Sequence, residues 1–247
     1  MTVGATRLEA FRSRLGGALV LTDFDGTLAP IVARPEDARP LPDAAAVLAG
    51  LAPRVLGVAI VTGRPSAVVR RLLPVDGVHV AGLYGFEDAP PMPADALAAV
   101  REVAEGEPGA QLEPKGPSAA VHFRNAPVPE AAGGRLREAL AAVADAFGLR
   151  LLEGKRVWEL APRGVGGKGE AVAALLDRSS PAAALFAGDD VADLEAFAAL
   201  DRFAAAGSGA VTVKVAVLGP ETPVALREGA DVVVGSPAEF LELLRGL

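Results

Sequence analysis

The 247-residue chain contains no cysteine, which excludes disulfides and thiolate-held metals. Its two histidines are too few for a histidine-rich zinc site. Positive charge is also scarce. The net charge is −7, no basic patch is present, and no nucleic acid or other polyanion is expected as a partner. No apolar run reaches the length needed to span a membrane, and Met1–Gly17 carries Arg7, Arg12 and Arg14 without the apolar stretch of a signal peptide. A soluble, cytoplasmic, monomeric protein without a membrane partner is therefore expected. Internal repeats and long low-complexity tracts are missing too. What the chain does have is Ala, Val and Leu: 51% of it is hydrophobic, enough for one large domain or a main domain plus a smaller one.

Short β-rich apolar runs alternate with helical patterns. Strands are predicted at Leu19–Thr22, Val55–Val61, Val78–Leu83, Ala182–Ala187, Phe203–Ala206, Val213–Val217 and Asp231–Val234. Helices are predicted at Asp43–Leu51 with Asp43 as N-cap, Ser66–Leu73, Gly169–Leu176, Val191–Leu200 and Pro237–Leu244. This alternation implies an α/β fold with a parallel sheet covered on both faces. Residues 94–161 differ. Two helical patterns, the alternating run Ser118–Arg124, and a hairpin of Leu149–Leu152 with Arg156–Leu160 around Gly154-Lys155 predict a small antiparallel sheet with two helices. That insertion divides a core of residues 1–93 and 162–247. Pro90-Pro91-Met92-Pro93 and Pro162–Gly167 read as hinges on either side.

Asp23-Phe24-Asp25-Gly26-Thr27 follows the first predicted strand. Side chains at i and i+2 of a strand share a face, and two anions held together call for a cation or a shared proton. With no thiolates and few imidazoles, the expected cation is Mg²⁺ held by carboxylates. Three further polar clusters end predicted strands or open helices: Thr62-Gly63-Arg64, Lys168 among Gly166, Gly167 and Gly169, and Asp189-Asp190 with Asp193. The strand-end edge of an open parallel sheet is where ligands bind. The hydroxyl and backbone N–H of Thr62 and Gly63 suit phosphate oxygens. Lys168 would neutralise a phosphoryl oxygen, Asp189 would reach a metal, and Asp190 and Asp193 would support the ligands from behind. Each piece has a plainer reading as a turn, a strand terminus, a surface lysine or a helix cap. Together, and in this order, they argue for one site.

These motifs resemble those of the haloacid dehalogenase superfamily of phosphotransferases, which implies a Rossmann-like core with a mobile α/β cap and Mg²⁺ as cofactor. By that resemblance Asp23 is the nucleophile and Asp25 the general acid and base. Asp23, the Asp25 main-chain carbonyl and Asp189 would hold the metal, and Thr62 and Lys168 the phosphoryl group. A finer resemblance, to the trehalose-6-phosphate phosphatase family, runs through Asp23–Ile31, Gly82–Glu87, Glu113–Arg124, Gly154–Leu160 and Gly188–Phe197. It implies hydrolysis of a small-molecule sugar phosphate, with Glu113, Lys115, Ser118, His122, Arg124, Lys155 and Glu159 of the cap, and Gly63, Arg64 and Glu87, contacting the substrate. Such a mixture of cations and carboxylates suits a hydroxyl-rich disaccharide. Trp158 is open to two readings, stacking on a sugar or packing in a core. Tyr84 departs from the family pattern, which usually has histidine there. Alternatives are a phosphatase of sucrose phosphate or of a mannosyl or glucosyl phosphoglycerate, and a non-catalytic sugar-phosphate-binding protein.

Overall fold

The structure is a computed structural model that describes residues 3–85, 87, 89–163, 167–207 and 209–247. The chain divides into two compact units, Met1–Gly85 with Gly166–Leu247, and Phe86–Val165. In the first unit the elements run α1 (Val3–Arg12), β1 (Ala18–Thr22), α2 (Ala44–Leu51), β2 (Gly57–Val61), α3 (Ser66–Leu72) and β3 (Val78–Ala81). The second unit holds α4 (Ala94–Glu105), β4 (Gln111–Pro114), β5 (Ala119–His122), α5 (Pro129–Ala146), β6 (Leu149–Gly154) and β7 (Val157–Pro162). The first unit then resumes with α6 (Lys168–Ser179), β8 (Ala183–Gly188), α7 (Ala192–Ala205), β9 (Val211–Val217), α8 (Val224–Gly229), β10 (Val232–Val234) and α9 (Pro237–Arg245).

The first unit is built on a six-stranded sheet in the order β10-β9-β8-β1-β2-β3, parallel throughout. Side-chain alternation splits each central strand between two cores. Ala18 and Val20 of β1 join Leu185 of β8, Leu48 of α2 and Phe240 of α9 on one face. Leu19 and Leu21 join Phe186, Val172 of α6 and Phe197 of α7 on the other. Both faces are covered, so every residue of β1 is buried, and each large side chain so buried stabilises the fold by about 1.5–3 kcal/mol. The chain leaves β1 in one direction to β2 and β3 and in the other to β8 through β10. The order therefore reverses beside β1, and the carboxyl ends of β1 and β8 frame the crevice that such a reversal creates.

The second unit is a four-stranded antiparallel sheet, β4-β5-β7-β6. One face, with Val121, Trp158 and Leu160, packs on Val100 of α4 and on Leu136 and Leu140 of α5. Residues opposite one another across the ladders share a face, so the pairs Glu113–Ala120, Ala120–Glu159 and His122–Val157 place Glu113, His122 and Glu159 on the other face.

Several expectations need correction. Phe203–Ala206 is not a strand: α7 runs on to Ala205, and Phe203 extends the helical stripe of Phe197 and Leu200 into the same core. The strand from Val78 ends at Ala81, because Leu83 and Tyr84 turn into the left-handed region. Asp43 precedes α2, but its side chain makes no cap bond. It accepts instead from Arg245 at 2.8 Å, and its αR dihedrals are not those of an N-cap. The hairpin turn is Lys155-Arg156, between the paired Gly154 and Val157, and Arg156 holds a φ of 61°. The helices α1 and α8 and the strand β4 lay outside the sequence-based assignment. Phe86 and Gly166, and with them part of two motif segments, lie outside the described residues. Among the described residues no helix is long and apolar enough to cross a membrane.

Candidate active site

β1 ends at Thr22, yet the ladder to β8 continues one step, with the Asp23 N–H donating to Ala187 O at 2.9 Å. The chain then turns at Gly26, whose φ of 81° favours glycine. A Cβ there would also collide with the Asp189 carboxylate, so the turn after β1 and the loop after β8 meet at this point. Asp25 is consequently not an i+2 strand neighbour of Asp23. It lies in the turn, and the two carboxylates face different cations.

Asp23 faces Lys168. The Lys168 Nζ stands 3.0 Å from Asp23 Oδ2 and 2.6 Å from Asp193 Oδ1. The lysine opens α6 with 2% of its surface exposed, so it is no surface lysine. Asp193 acts from the first turn of α7: its Oδ2 accepts from the N–H groups of Asp189 and Asp190, both at 2.8 Å. A Cβ at Gly188 would overlap the Asp193 carboxyl group. All of Asp193's carboxylate is thus engaged in holding the Gly188-Asp189-Asp190 loop and the ammonium. Asp190 Oδ1 accepts from Val191 N–H at 2.6 Å, which completes the loop.

Carboxylate oxygens of Asp23, Asp189 and Asp193 lie within 4.8 Å of one another, all three residues buried. Burial pushes the Asp23 carboxyl well above its ordinary range; Lys168 opposes this, while Asp193, Asp189 and Asp25 add to it. Burial alone would push the Lys168 ammonium down, but Asp193 and Asp23, followed by Tyr84, outweigh it and hold the group protonated. Three carboxylates against one ammonium leave a formal charge of −2, which one divalent cation would balance. Hard oxygen donors suit Mg²⁺. Asp193 takes three contacts on its two oxygens; Asp23, whose Oδ1 accepts from the Phe24 N–H at 2.7 Å, and Asp189 are the side chains that fit such an ion.

Asp25 faces Arg64. The guanidinium donates twice, Nε to Oδ2 at 2.6 Å and Nη2 to Oδ1 at 2.8 Å, and lies over the Phe24 ring at 5.5 Å. Paired fork to fork in this way, Arg64 fixes the plane of the Asp25 carboxyl group. This pairing had no signal in the sequence, because residues 39 positions apart meet only through the adjacency of β1 and β2. Thr62, buried to 1% exposure, follows β2, and its hydroxyl accepts from Arg64 N–H at 3.2 Å. The Tyr84 N–H donates to Thr62 O and the Leu83 N–H to Arg64 O, both at 3.0 Å. Leu83 and Tyr84 hold φ of 48° and 53°, an arrangement costing about 1–3 kcal/mol per residue unless the surroundings impose it.

In the second unit, Glu159 is bound by Lys115 at 3.0 Å and by the Ser118 hydroxyl at 2.6 Å. His122 Nε2 lies 2.8 Å from Glu113 Oε2, and Lys115 is 3.9 Å from the same carboxylate. These five polar residues form one network on the sheet face turned away from the helices. Arg124 donates to Lys155 O at 3.3 Å, which places both beside the β6–β7 turn. Glu87 sits exposed in a turn. Trp158 belongs to the helix side: it is 8% exposed and its indole N–H donates to Gly133 O of α5 at 2.8 Å.

A parallel core sheet interrupted by an inserted α/β unit is the fold of the haloacid dehalogenase class. The family model described as trehalose-phosphatase matches residues 21–225. The chain belongs to the trehalose-phosphatase family. It is 37% identical over 204 residues to the trehalose-phosphate phosphatase of Mycobacterium avium, covering 73% of this chain and 51% of that protein. It is also 37% identical over 210 residues to an uncharacterized glycosyl hydrolase of Mycobacterium tuberculosis, covering 76% of this chain and 16% of that protein. The chain thus spans about half the length of the first relative and a small part of the second. Among solved structures it is similar to the C-terminal domain of trehalose-6-phosphate phosphatase from C. albicans, with a TM-score of 0.81, 22% identity, and coverage of 99% and 97% of the two chains.

Proposed function

We propose that this chain hydrolyses trehalose 6-phosphate to trehalose and inorganic phosphate. The observation that carries the reading is the 3.0 Å contact of Lys168 with Asp23 inside a buried group of three carboxylates. A buried carboxylate with an ammonium beside it at the ligand edge of the sheet supports the reading of a nucleophile with a cation at hand for phosphoryl oxygens. Asp23 attacks phosphorus, its oxygen forming a bond to phosphorus as the bond to the sugar oxygen breaks. Asp25 gives its proton to the departing sugar oxygen. It then takes a proton from the water that attacks the aspartyl-phosphate, and the Asp23–phosphorus bond breaks to release phosphate. Arg64, whose fork holds both Asp25 oxygens, orients the carboxyl group and gives up one oxygen for each transfer. Lys168 and Thr62 hold the phosphoryl oxygens, and Asp193 and Asp190 hold Lys168 and the Asp189 loop in place. Asp23, the Asp25 main-chain carbonyl and Asp189 would hold Mg²⁺, which when bound supplies charge neutralisation and orients the ester.

Residues 94–161 supply substrate recognition in this reading. The network of Glu113, Lys115, Ser118, His122 and Glu159, with Arg124 and Lys155, offers both donors and acceptors to sugar hydroxyls. Gly63, Arg64 and Glu87 are the further substrate contacts proposed. The test is product analysis with the purified chain: trehalose and phosphate should appear in equal amounts from trehalose 6-phosphate with Mg²⁺ and cease with a chelator. A higher kcat/KM for sucrose phosphate or a glucosyl phosphoglycerate would reassign the substrate while leaving the chemistry in place.

A further inference from the structure

We propose that Tyr84 is a positioning residue for the phosphoryl pocket, its ring confining the Lys168 ammonium and filling the space beside Gly63. The inference rests on the phosphatase reading above and deepens it. Leu83, Tyr84 and Gly85 are left-handed in succession, with φ of 48°, 53° and 83°. Two of them carry side chains, and such a conformation persists only where the surroundings over-determine it. Here they do: the backbone N–H groups of residues 83 and 84 are tied to the carbonyls of Arg64 and Thr62. The strained turn is thereby fastened to the loop proposed to hold the phosphate.

The turn delivers one ring to two places. A Cβ on Gly63 would come within 2.7 Å of the Tyr84 hydroxyl and 3.0 Å of Cζ, so the ring occupies the space a side chain at 63 would need. The Lys168 Nζ lies 5.6 Å from the ring centroid, within the range of cation–π attraction. An ammonium has three N–H groups, and Asp193 and Asp23 engage two of them. The ring limits where the remaining N–H can point, and so where an incoming phosphoryl oxygen can meet it. The ring matters most during turnover. Once Asp23 is esterified by phosphorus the negative charge sits on the phosphoryl oxygens, and Lys168 meets them while held by Asp193 and the Tyr84 face.

The test compares wild type with Tyr84→Leu, which keeps apolar bulk without a π face, and Tyr84→Phe, which keeps the ring. Turnover is measured on trehalose 6-phosphate and on p-nitrophenyl phosphate, and inorganic phosphate affinity by calorimetry with Mg²⁺ present. Tyr84→Leu is expected to lower kcat about tenfold on both esters and to weaken phosphate binding by a similar factor. Tyr84→Phe should restore most of both losses. Should Tyr84→Leu fail to fold, Tyr84→Met carries the same expectation. Unchanged kcat and phosphate affinity, a loss confined to KM for the disaccharide ester, or a Tyr84→Phe as impaired as Tyr84→Leu would overturn the proposal. If wild type hydrolyses neither ester while Tyr84→Leu still loses phosphate affinity, the phosphatase reading fails and the assignment of Tyr84 to an anion pocket stands.

Discussion

Lys168, 2% exposed, is held by two carboxylates, and removing the ammonium would leave both buried without their cation, a loss that typically costs about 3–5 kcal/mol. The arrangement is worth its desolvation only if the charges are used. Asp23 expresses the same conflict, because burial raises its pKa even though an ammonium lies 3.0 Å away. A carboxyl group whose pKa is raised on folding favours the folded state below its unfolded pKa and loses that contribution as pH rises through the folded value. In chelator, therefore, Asp23→Asn should unfold at a higher temperature than wild type near neutral pH, and the difference should shrink as pH falls toward 4. Mg²⁺ should raise the wild-type midpoint and leave that of Asp23→Asn nearly unmoved, since an ion bound only by the folded state stabilises it. Thermal unfolding at a series of pH values reads both effects. Asp25→Asn should lower kcat by roughly 10²–10⁴ with KM little changed, because it removes proton transfer and keeps the fork to Arg64 in part. Steady-state kinetics checks the split, and a change in KM alone would contradict the role.

Among the elements, the strands of the core were legible because their residues are apolar on both faces, and the helices that cover them because apolar residues recur at helical spacing. The same criterion misled at Phe203–Ala206. A β-prone aromatic beside alanines reads as a strand, but Phe203 stands three residues beyond Leu200 and continues the buried stripe of α7, where tertiary burial overrides propensity. β4 escaped notice because Gln111-Leu112-Glu113-Pro114 contains one apolar residue between polar ones and is only partly buried. Trp158 illustrates how pairing resolves what alternation leaves open. The sequence placed it opposite Val157, and the ladders to β5 and β6 show that its face is the one covered by α5. Trp158→Phe should accordingly lower stability by about 1–3 kcal/mol, leaving Gly133 O without its donor, and leave KM for the sugar phosphate unchanged. Chemical denaturation together with kinetics would decide it; a raised KM at unchanged stability would favour stacking on the substrate.

For the whole molecule, the two units divide the work proposed here, with reaction chemistry in the parallel core and recognition in the inserted α/β unit. That division has a direct kinetic signature. Lys115→Ala and Glu159→Gln, which break the network at its 3.0 Å contact, should raise KM for trehalose 6-phosphate several-fold more than KM for p-nitrophenyl phosphate, with kcat on the small ester retained. Equal effects on both esters would show that the inserted unit does not read the sugar. The primary structure by itself determined the fold class, the insertion, and the four polar clusters, because periodicity and motif spacing are local properties written along the chain. Only the tertiary structure decided how charges are shared: Asp23 with Lys168, Asp25 with Arg64, Asp193 across the loop that follows β8, and Tyr84 against Gly63 and Lys168. Those partnerships join residues separated by up to 145 positions, and they exist because parallel strands distant in sequence lie side by side with their carboxyl ends level. Electrostatic partners are set by distance in space and by burial, and neither is encoded in spacing along the backbone.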